Sequence, residues 1–193
     1  MGLSKKSPSE IEQEVRFKHT RESQITMTQL MLPSYSNFSG KIHGGYILNL
    51  MDQIAFACAS KHSGHYCVTA SVNKVDFLTP IEVGELVTLK ASVNYTGRTS
   101  MVVGLRVESE NIQQGFVKHC NSSYFTMVAK NERGESVPVP GLILEDKEGV
   151  RRFARSIRRK QQAAIRDHSF RPDKFEVAPF LEILAQQNVR VEL

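Results

Sequence analysis

Ser39-Gly-Lys-Ile-His-Gly-Gly-Tyr-Ile-Leu-Asn-Leu-Met-Asp-Gln-Ile-Ala-Phe-Ala-Cys-Ala-Ser60 is the stretch that decides how this chain folds. A glycine-rich turn from Gly40 to Gly45 runs straight into a long apolar segment. Ile47, Leu48, Leu50, Met51, Ile54, Ala55, Phe56, Ala57, Cys58 and Ala59 cover nearly the whole circumference of a helix. A helix apolar all round is a buried one. In its middle stands a single carboxylate, Asp52. A buried acid with no basic neighbour in sequence is costly, which marks it as a functional candidate.

Outward from the helix, the chain alternates like a sheet. Before it, Ser23 to Leu32 reads as a first strand that stops at Pro33, and Pro33 to Gly40 is a loop by composition. After it, His65 to Leu78 reads as a second strand, ended by Thr79-Pro80. Leu86 to Tyr95 and Ser100 to Glu108 alternate cleanly about the tight turn Thr96-Gly97-Arg98-Thr99, an antiparallel hairpin. Phe116 to Ala129 is a fifth strand, and the prolines of Ser136 to Gly141 keep that segment extended. One long apolar helix is available to cover the apolar face of these strands, so the expected class is α+β, one antiparallel sheet wrapped around a long central helix. Residues 1–22 read as a flexible lead-in, 23–142 as the domain, and 143–193 as a basic, partly helical extension carrying Val150, Phe153 and Ile157.

The composition of the 193 residues, 40% hydrophobic and 23% charged, is that of an ordinary globular protein. No apolar run reaches the ~20 residues that span a bilayer, so no stable membrane insertion is expected. The polar N-terminus does not read as a signal peptide. Three cysteines without CxxC spacing fit reduced cytoplasmic thiols better than disulfides or a metal site. The net charge of +5 is confined to residues 145–171, where nine Lys and Arg face four Asp and Glu. That run reads as a packed helix with a solvated charged face, or as help for a phosphate-bearing ligand. Nucleic-acid binding is not expected, because aromatics do not interleave with the cations.

Taken together, Ile42-His43-Gly44-Gly45, Leu50-Met51-Asp52, Phe77-Leu78-Thr79-Pro80 with Val83-Gly84-Glu85, Thr96-Gly97-Arg98-Thr99-Ser100 and Val137-Pro138-Val139-Pro140 occur in the order seen in a known family. The chain resembles the hotdog-fold acyl-CoA thioesterases, of the YciA and cytosolic acyl-CoA hydrolase type, over roughly residues 24–142. The resemblance implies a hotdog subunit that dimerises by joining sheets edge to edge, often as a trimer of dimers, with the site at the dimer interface. It implies acyl-CoA as substrate, in cytoplasmic lipid and fatty acid metabolism, and no cofactor or metal beyond the coenzyme A of the substrate. Many relatives carry Asn or Asp where Lys41 stands, an asparagine with a catalytic part in the two-domain animal enzymes; Lys41 is given no chemical role here.

Thioester hydrolysis needs donors for the carbonyl oxygen and a base for water. The N-terminus of the helix offers free N–H groups and the positive end of the dipole, and Gly44 and Gly45 remove the Cβ atoms that would keep a substrate away. Gly45, Asn49, Asp52 and Phe56 share one stripe. At 1.5 Å per residue, Gly45 and Asp52 lie about 10 Å apart, too far for one carbonyl. The expectation is therefore that Gly45 N–H of one subunit binds the carbonyl while Asp52 of its partner activates water or attacks directly. His43 reads either as a loop histidine or as a group orienting the thioester. Asn49 is a partner of Asp52 or a plain buried amide, and by resemblance Ser71 and Asn73 are expected to line the pantetheine channel and Arg98, Thr99 and Ser100 to meet the nucleotide end of CoA. Ser122 and Ser123 lack a triad pattern. The rival readings are a dehydratase of the same fold and a non-catalytic acyl-CoA-binding protein.

Overall fold

A computed structural model describes residues 17–169 and 176–192. The elements in order are β1 (Phe17–His19), α1 (Thr20–Ser23), β2 (Ile25–Leu30), α2 (Gly44–Ser63), β3 (Tyr66–Val72), β4 (Leu86–Thr96), β5 (Ser100–Asn111), β6 (Phe116–Lys130), β7 (Gly141–Ile143), α3 (Lys147–Ser169) and α4 (Leu181–Ala185). Five strands form one antiparallel sheet in the order β2-β4-β5-β6-β3, and β1 pairs in parallel with β7. The described chain divides after Ser156 into two units. The second holds the rest of α3, a 3-10 turn at Ala178–Phe180 and α4.

Helix α2 packs across the sheet, with Ile47, Leu50, Met51, Ile54, Ala55, Cys58 and Ala59 buried against Val87, Leu89, Val93, Met101, Val103, Phe125 and Met127. Both of its ends are chemically defined. His43 caps the start through its side chain, and Gly64 closes the end at φ +73, the left-handed conformation that glycine adopts freely. The last turn carries His62, fully buried, whose Nε2 donates to the Pro140 carbonyl at 3.0 Å. Burial holds this imidazole below the usual histidine range, against the opposing pull of the Pro140 bond. Among the described residues its Nδ1 has no hydrogen-bond partner, consistent with a neutral ring.

Three expectations change. The helix is not buried all round: Gly45, Asn49, Asp52, Gln53 and Phe56 form an exposed stripe. The strand expected to reach Leu78 stops at Val72, although the chain still follows β6 through Asn73 N–H to Tyr124 O and Leu78 N–H to Cys120 O. Phe17–His19, within the expected lead-in, is a strand; the rest of that lead-in, and Arg171-Pro172, lie outside the described residues. In α3, Phe153 packs its ring on Tyr95 with centroids 4.9 Å apart, while Val150 and Ile157 stay exposed.

The turn before β4 is fastened by a buried acid. Glu85, 2% exposed, accepts from Ser109 Oγ at 2.6 Å, Lys118 Nζ at 2.7 Å and the Glu82 N–H at 3.0 Å. Burial pushes its carboxyl up, but these donors together outweigh burial and hold it below the ordinary carboxylate range.

Candidate active site

The open stripe of α2 faces the same way as edge strand β3, and the two meet at Asp52. The Thr69 hydroxyl donates to Asp52 Oδ1 at 2.6 Å. That hydroxyl stands at an exposed position of β3, two residues past the buried Cys67, and it holds the carboxylate by one oxygen. Among the described residues Oδ2 has no hydrogen-bond partner, so it stands ready for water or a carbonyl. Asp52 is exposed in this subunit, not a core acid; periodicity alone cannot separate a face buried by its own sheet from one left open at an edge.

At the helix start the donors are arranged differently from expectation. Gly45 N–H is not free: it donates to His43 Nδ1 at 3.0 Å. A Cβ on Gly45 would stand 3.0 Å from that nitrogen, so the glycine is required by the histidine cap as well as by any ligand. Accepting at Nδ1 leaves the proton of neutral His43 on Nε2. Gly44 lies under Phe77, whose ring would come within 3.2 Å of an added Cβ. One end of the stripe is thus a glycine pair bounded by His43 and Phe77, and Asp52 sits seven residues further on, about 10 Å along the axis.

The other expected residues are distributed. Asn49 is exposed one turn before Asp52 and, among the described residues, makes no hydrogen bond to it. Ser71 is exposed on β3, just past the bulge that separates it from Thr69. Ser100 opens β5, two strands in from the β3 edge, or about 10 Å at the spacing of neighbouring strands. Arg98 and Thr99 sit in the preceding turn, fastened by their carbonyls to Val139 N–H and Ala129 N–H. Within one subunit these three do not join Asp52. Ser122 has one histidine beside it, His119 Nε2 at 2.9 Å, but no carboxylate completes a triad among the described residues. The same Nε2 lies 2.9 Å from the Asn121 carbonyl, an obligate acceptor, so its proton is held there and the pair has no free base.

Two residues were missed. Thr69 is one; nothing in sequence marks it, because its pairing with Asp52 depends on how β3 lies against α2. The other is Asn37. Its side-chain carbonyl accepts from Ser39 N–H, Ser39 Oγ and Lys41 N–H, which builds a tight turn ahead of α2. Lys41, where an asparagine was sought, forms an ion pair with Glu82.

Comparison with known proteins gives these positions a context. The family model of the thioesterase superfamily matches residues 39–116. The chain is 40% identical to the protein VdlD of Helicobacter pylori, over 72% of this chain and 79% of that one. It is 34% identical to the uncharacterized acyl-CoA thioester hydrolase YkhA of Bacillus subtilis, over 71% and 78%. A hexameric acyl-CoA thioesterase, solved without ligand, superposes with a TM-score of 0.78 at 36% identity, covering 81% of this chain and all of that one. An acyl-CoA hydrolase of Staphylococcus aureus, solved with butyryl-CoA, CoA and CoA disulfide, has a TM-score of 0.73 at 29% identity, covering 88% and 99%. Variants of that hydrolase replace an asparagine, an aspartate and a threonine by alanine. The spacing of those three along their chain is that of Asn37, Asp52 and Thr69 here.

Proposed function

This chain belongs to the thioesterase superfamily, and we propose that it hydrolyses acyl-CoA thioesters to a free carboxylic acid and coenzyme A. The observation that carries the reading is the Asp52–Thr69 pair, a solvent-facing carboxylate held by one oxygen with the other free. The family context supports it, as does the acyl-CoA hydrolase of Staphylococcus aureus solved with butyryl-CoA and CoA. Oδ2 takes a proton from the attacking water while the thioester carbonyl becomes an oxyanion. Direct attack by the same oxygen expels the CoA thiolate and gives a mixed anhydride, which water then hydrolyses to the free acid and the restored carboxylate, in the same geometry. A positioned base supplies roughly 10²–10⁴-fold in rate. The oxyanion takes the Gly45 N–H in place of His43 Nδ1, and one such donor is worth ~3 kcal/mol in the transition state.

The helix separation makes the working unit a homodimer joined at the β3 edges, with Gly45 of one subunit serving the partner's Asp52. The hexameric neighbour supports a trimer of such dimers. Asn37 lies on the glycine side of this arrangement and joins the machinery on the strength of its spacing. Asn49 and Ser71 border the pantetheine, and Arg98, Thr99 and Ser100 meet the CoA phosphates, a guanidinium being suited to bidentate contact. Coenzyme A enters as part of the substrate and leaves as product; the chemistry draws on no separate cofactor. The setting we propose is the cytoplasm, on the strength of Cys58, Cys67 and Cys120, which are buried unpaired thiols. No observation favours the dehydratase or the non-catalytic acyl-CoA binder.

The test is thiol release from short-, medium- and long-chain acyl-CoAs by wild type and Asp52→Asn. Turnover in the wild type and its loss in a folded variant are expected. A folded Asp52→Asn that keeps wild-type turnover sinks the mechanism, and a wild type that releases no thiol from any chain sinks the activity.

A further inference from the structure

The turn before α2 holds a large apolar ring in water. Phe38 is fully exposed, the most exposed of the large hydrophobics among the described residues. Its turn is tightly built: Asn37 Oδ1 accepts three hydrogen bonds, Asn37 N–H donates to Lys41 O at 2.7 Å, Gly40 N–H donates to Asn37 O at 3.0 Å, and Gly40 takes φ +75. Such a turn fixes the backbone that carries the ring, and an exposed aromatic at the tip of a tight turn is suited to contact another surface.

A second aromatic feature lies on the open face of α2. Phe56, one turn past Asp52 on the same stripe, meets Tyr66 at the start of β3, with centroids 5.5 Å apart and rings at 60°. Phe56 is 38% exposed and Tyr66 64%. The pair flanks the Asp52–Thr69 bond on the side toward the end of α2.

We propose that Phe38 is a clasp between two copies of this chain: its ring seats on the Phe56–Tyr66 pair of the partner and thereby positions the adjoining Asn37 turn beside the partner's Asp52. The register carries the argument. A two-fold axis that sets Gly45 opposite the partner's Asp52 makes the two α2 helices antiparallel, so each step back along one chain is a step forward along the other. The helical count ends at Gly44; ahead of it Ser36 pairs with Ile42 and Asn37 N–H donates to Lys41 O, so a turn with Phe38 at its tip leads off the N-terminal end of α2, and the antiparallel arrangement sends that end toward the end of the partner's α2, where Phe56 and Tyr66 stand. The occupant is a second copy because the surface is continuous with the stripe that the proposed dimer covers, and because the symmetry supplies one ring for each aromatic pair. A third ring at the edge of a tilted pair adopts the arrangement that aromatic clusters favour. Phe38 is a positioning residue, acting through Asn37; it meets no reacting atom.

The inference rests on the dimeric reading of the site, but two of its readouts need no acyl-CoA. Phe38→Cys combined with Tyr66→Cys is treated with a short bismaleimide. The three native cysteines are buried and stay silent, so covalent dimer is expected from the double variant and not from either single one. Analytical ultracentrifugation of Phe38→Ala is expected to show dimer dissociation at least ~10-fold easier than in wild type, since aromatic anchors dominate interface energetics. Thiol release by Phe38→Ala should fall in kcat at saturating substrate and at protein concentrations that restore the dimer, and Phe38→Trp should recover it. The exposed position makes a folding defect in Phe38→Ala visible as an altered circular dichroism spectrum, and Phe38→Trp then decides. Absence of the cross-link, wild-type dimer affinity in Phe38→Ala, or wild-type kcat in Phe38→Ala overturns the clasp. A cross-link in the double variant together with a wild type that releases no thiol from any acyl-CoA overturns the thioesterase reading and leaves the clasp standing.

Discussion

Asp52 is held by one oxygen, and the residue that holds it tunes the reaction without touching substrate. Thr69→Val keeps the shape of the side chain and removes the donor, so the carboxylate loses its fixed orientation. A 10-fold or greater fall in kcat is expected, with Thr69→Ser recovering most of it; equal rates in Val and Ser variants would remove the hydroxyl from the account. His43 offers a sharper division. Its Nδ1 occupies the very N–H that the oxyanion is assigned. As a cap, its loss in His43→Ala costs the helix ~1 kcal/mol and lowers the melting temperature. As a competitor for Gly45 N–H, its loss leaves kcat unchanged or raised. A kcat reduced 100-fold or more in His43→Ala would instead make the imidazole an acid or base of the reaction. The stripe Gly45, Asn49, Asp52, Phe56 was legible because helical spacing is a property of sequence. Thr69 and Asn37 were not, since one depends on how a strand lies beside the helix and the other on a turn whose hydrogen bonds leave no periodic mark.

Helix α2 carries its own pH limit at its C-terminal end. His62 is fully buried, bonded to the Pro140 carbonyl and held neutral by burial, so its folded pKa lies below the unfolded value of 6.5. A depressed pKa means the unfolded chain takes up the proton first. The stability contributed is therefore complete above pH ~6.5 and drains away as pH falls from there through the folded pKa. Glu85 behaves with the same sign in a lower window, starting from its unfolded value of 4.5. The melting temperature of wild type should drop between pH 7 and 5.5, and His62→Gln should flatten that slope while melting lower at pH 7. A wild-type curve flat over that interval would exclude the histidine. At this scale the start of the helix was readable from Gly44-Gly45, while the histidine cap and the end at Gly64 came from the structure. The second strand was drawn too long because Val75 and Phe77 continue an alternating pattern after the backbone has left the ladder at Val72.

Across the whole molecule, the face that sequence assigned to a buried core is the face this subunit leaves open, and the difference lies in what covers it. The strip from Gly45 to Phe56 is apolar enough to want cover and polar enough, at Asn49, Asp52 and Gln53, to do chemistry, which is the composition of an interface with a site inside it. Periodicity records the demand for burial but not whether a sheet or a second copy meets it. If the two ends of the stripe serve opposite subunits, two different dead enzymes should repair each other. Asp52→Asn lacks the base but keeps an intact Asn37 turn; Asn37→Ala lacks the turn's amide but keeps an intact base. In a mixed dimer, one site receives both defects and the other receives neither. Random reassortment makes half the dimers mixed, each with one sound site of two, so about a quarter of wild-type activity should return when the separately purified variants are unfolded and refolded together. Mixing without unfolding should return little until subunits exchange. If both groups acted within one chain, every site in a mixed dimer would keep one defect, and the refolded mixture would stay as inactive as its components.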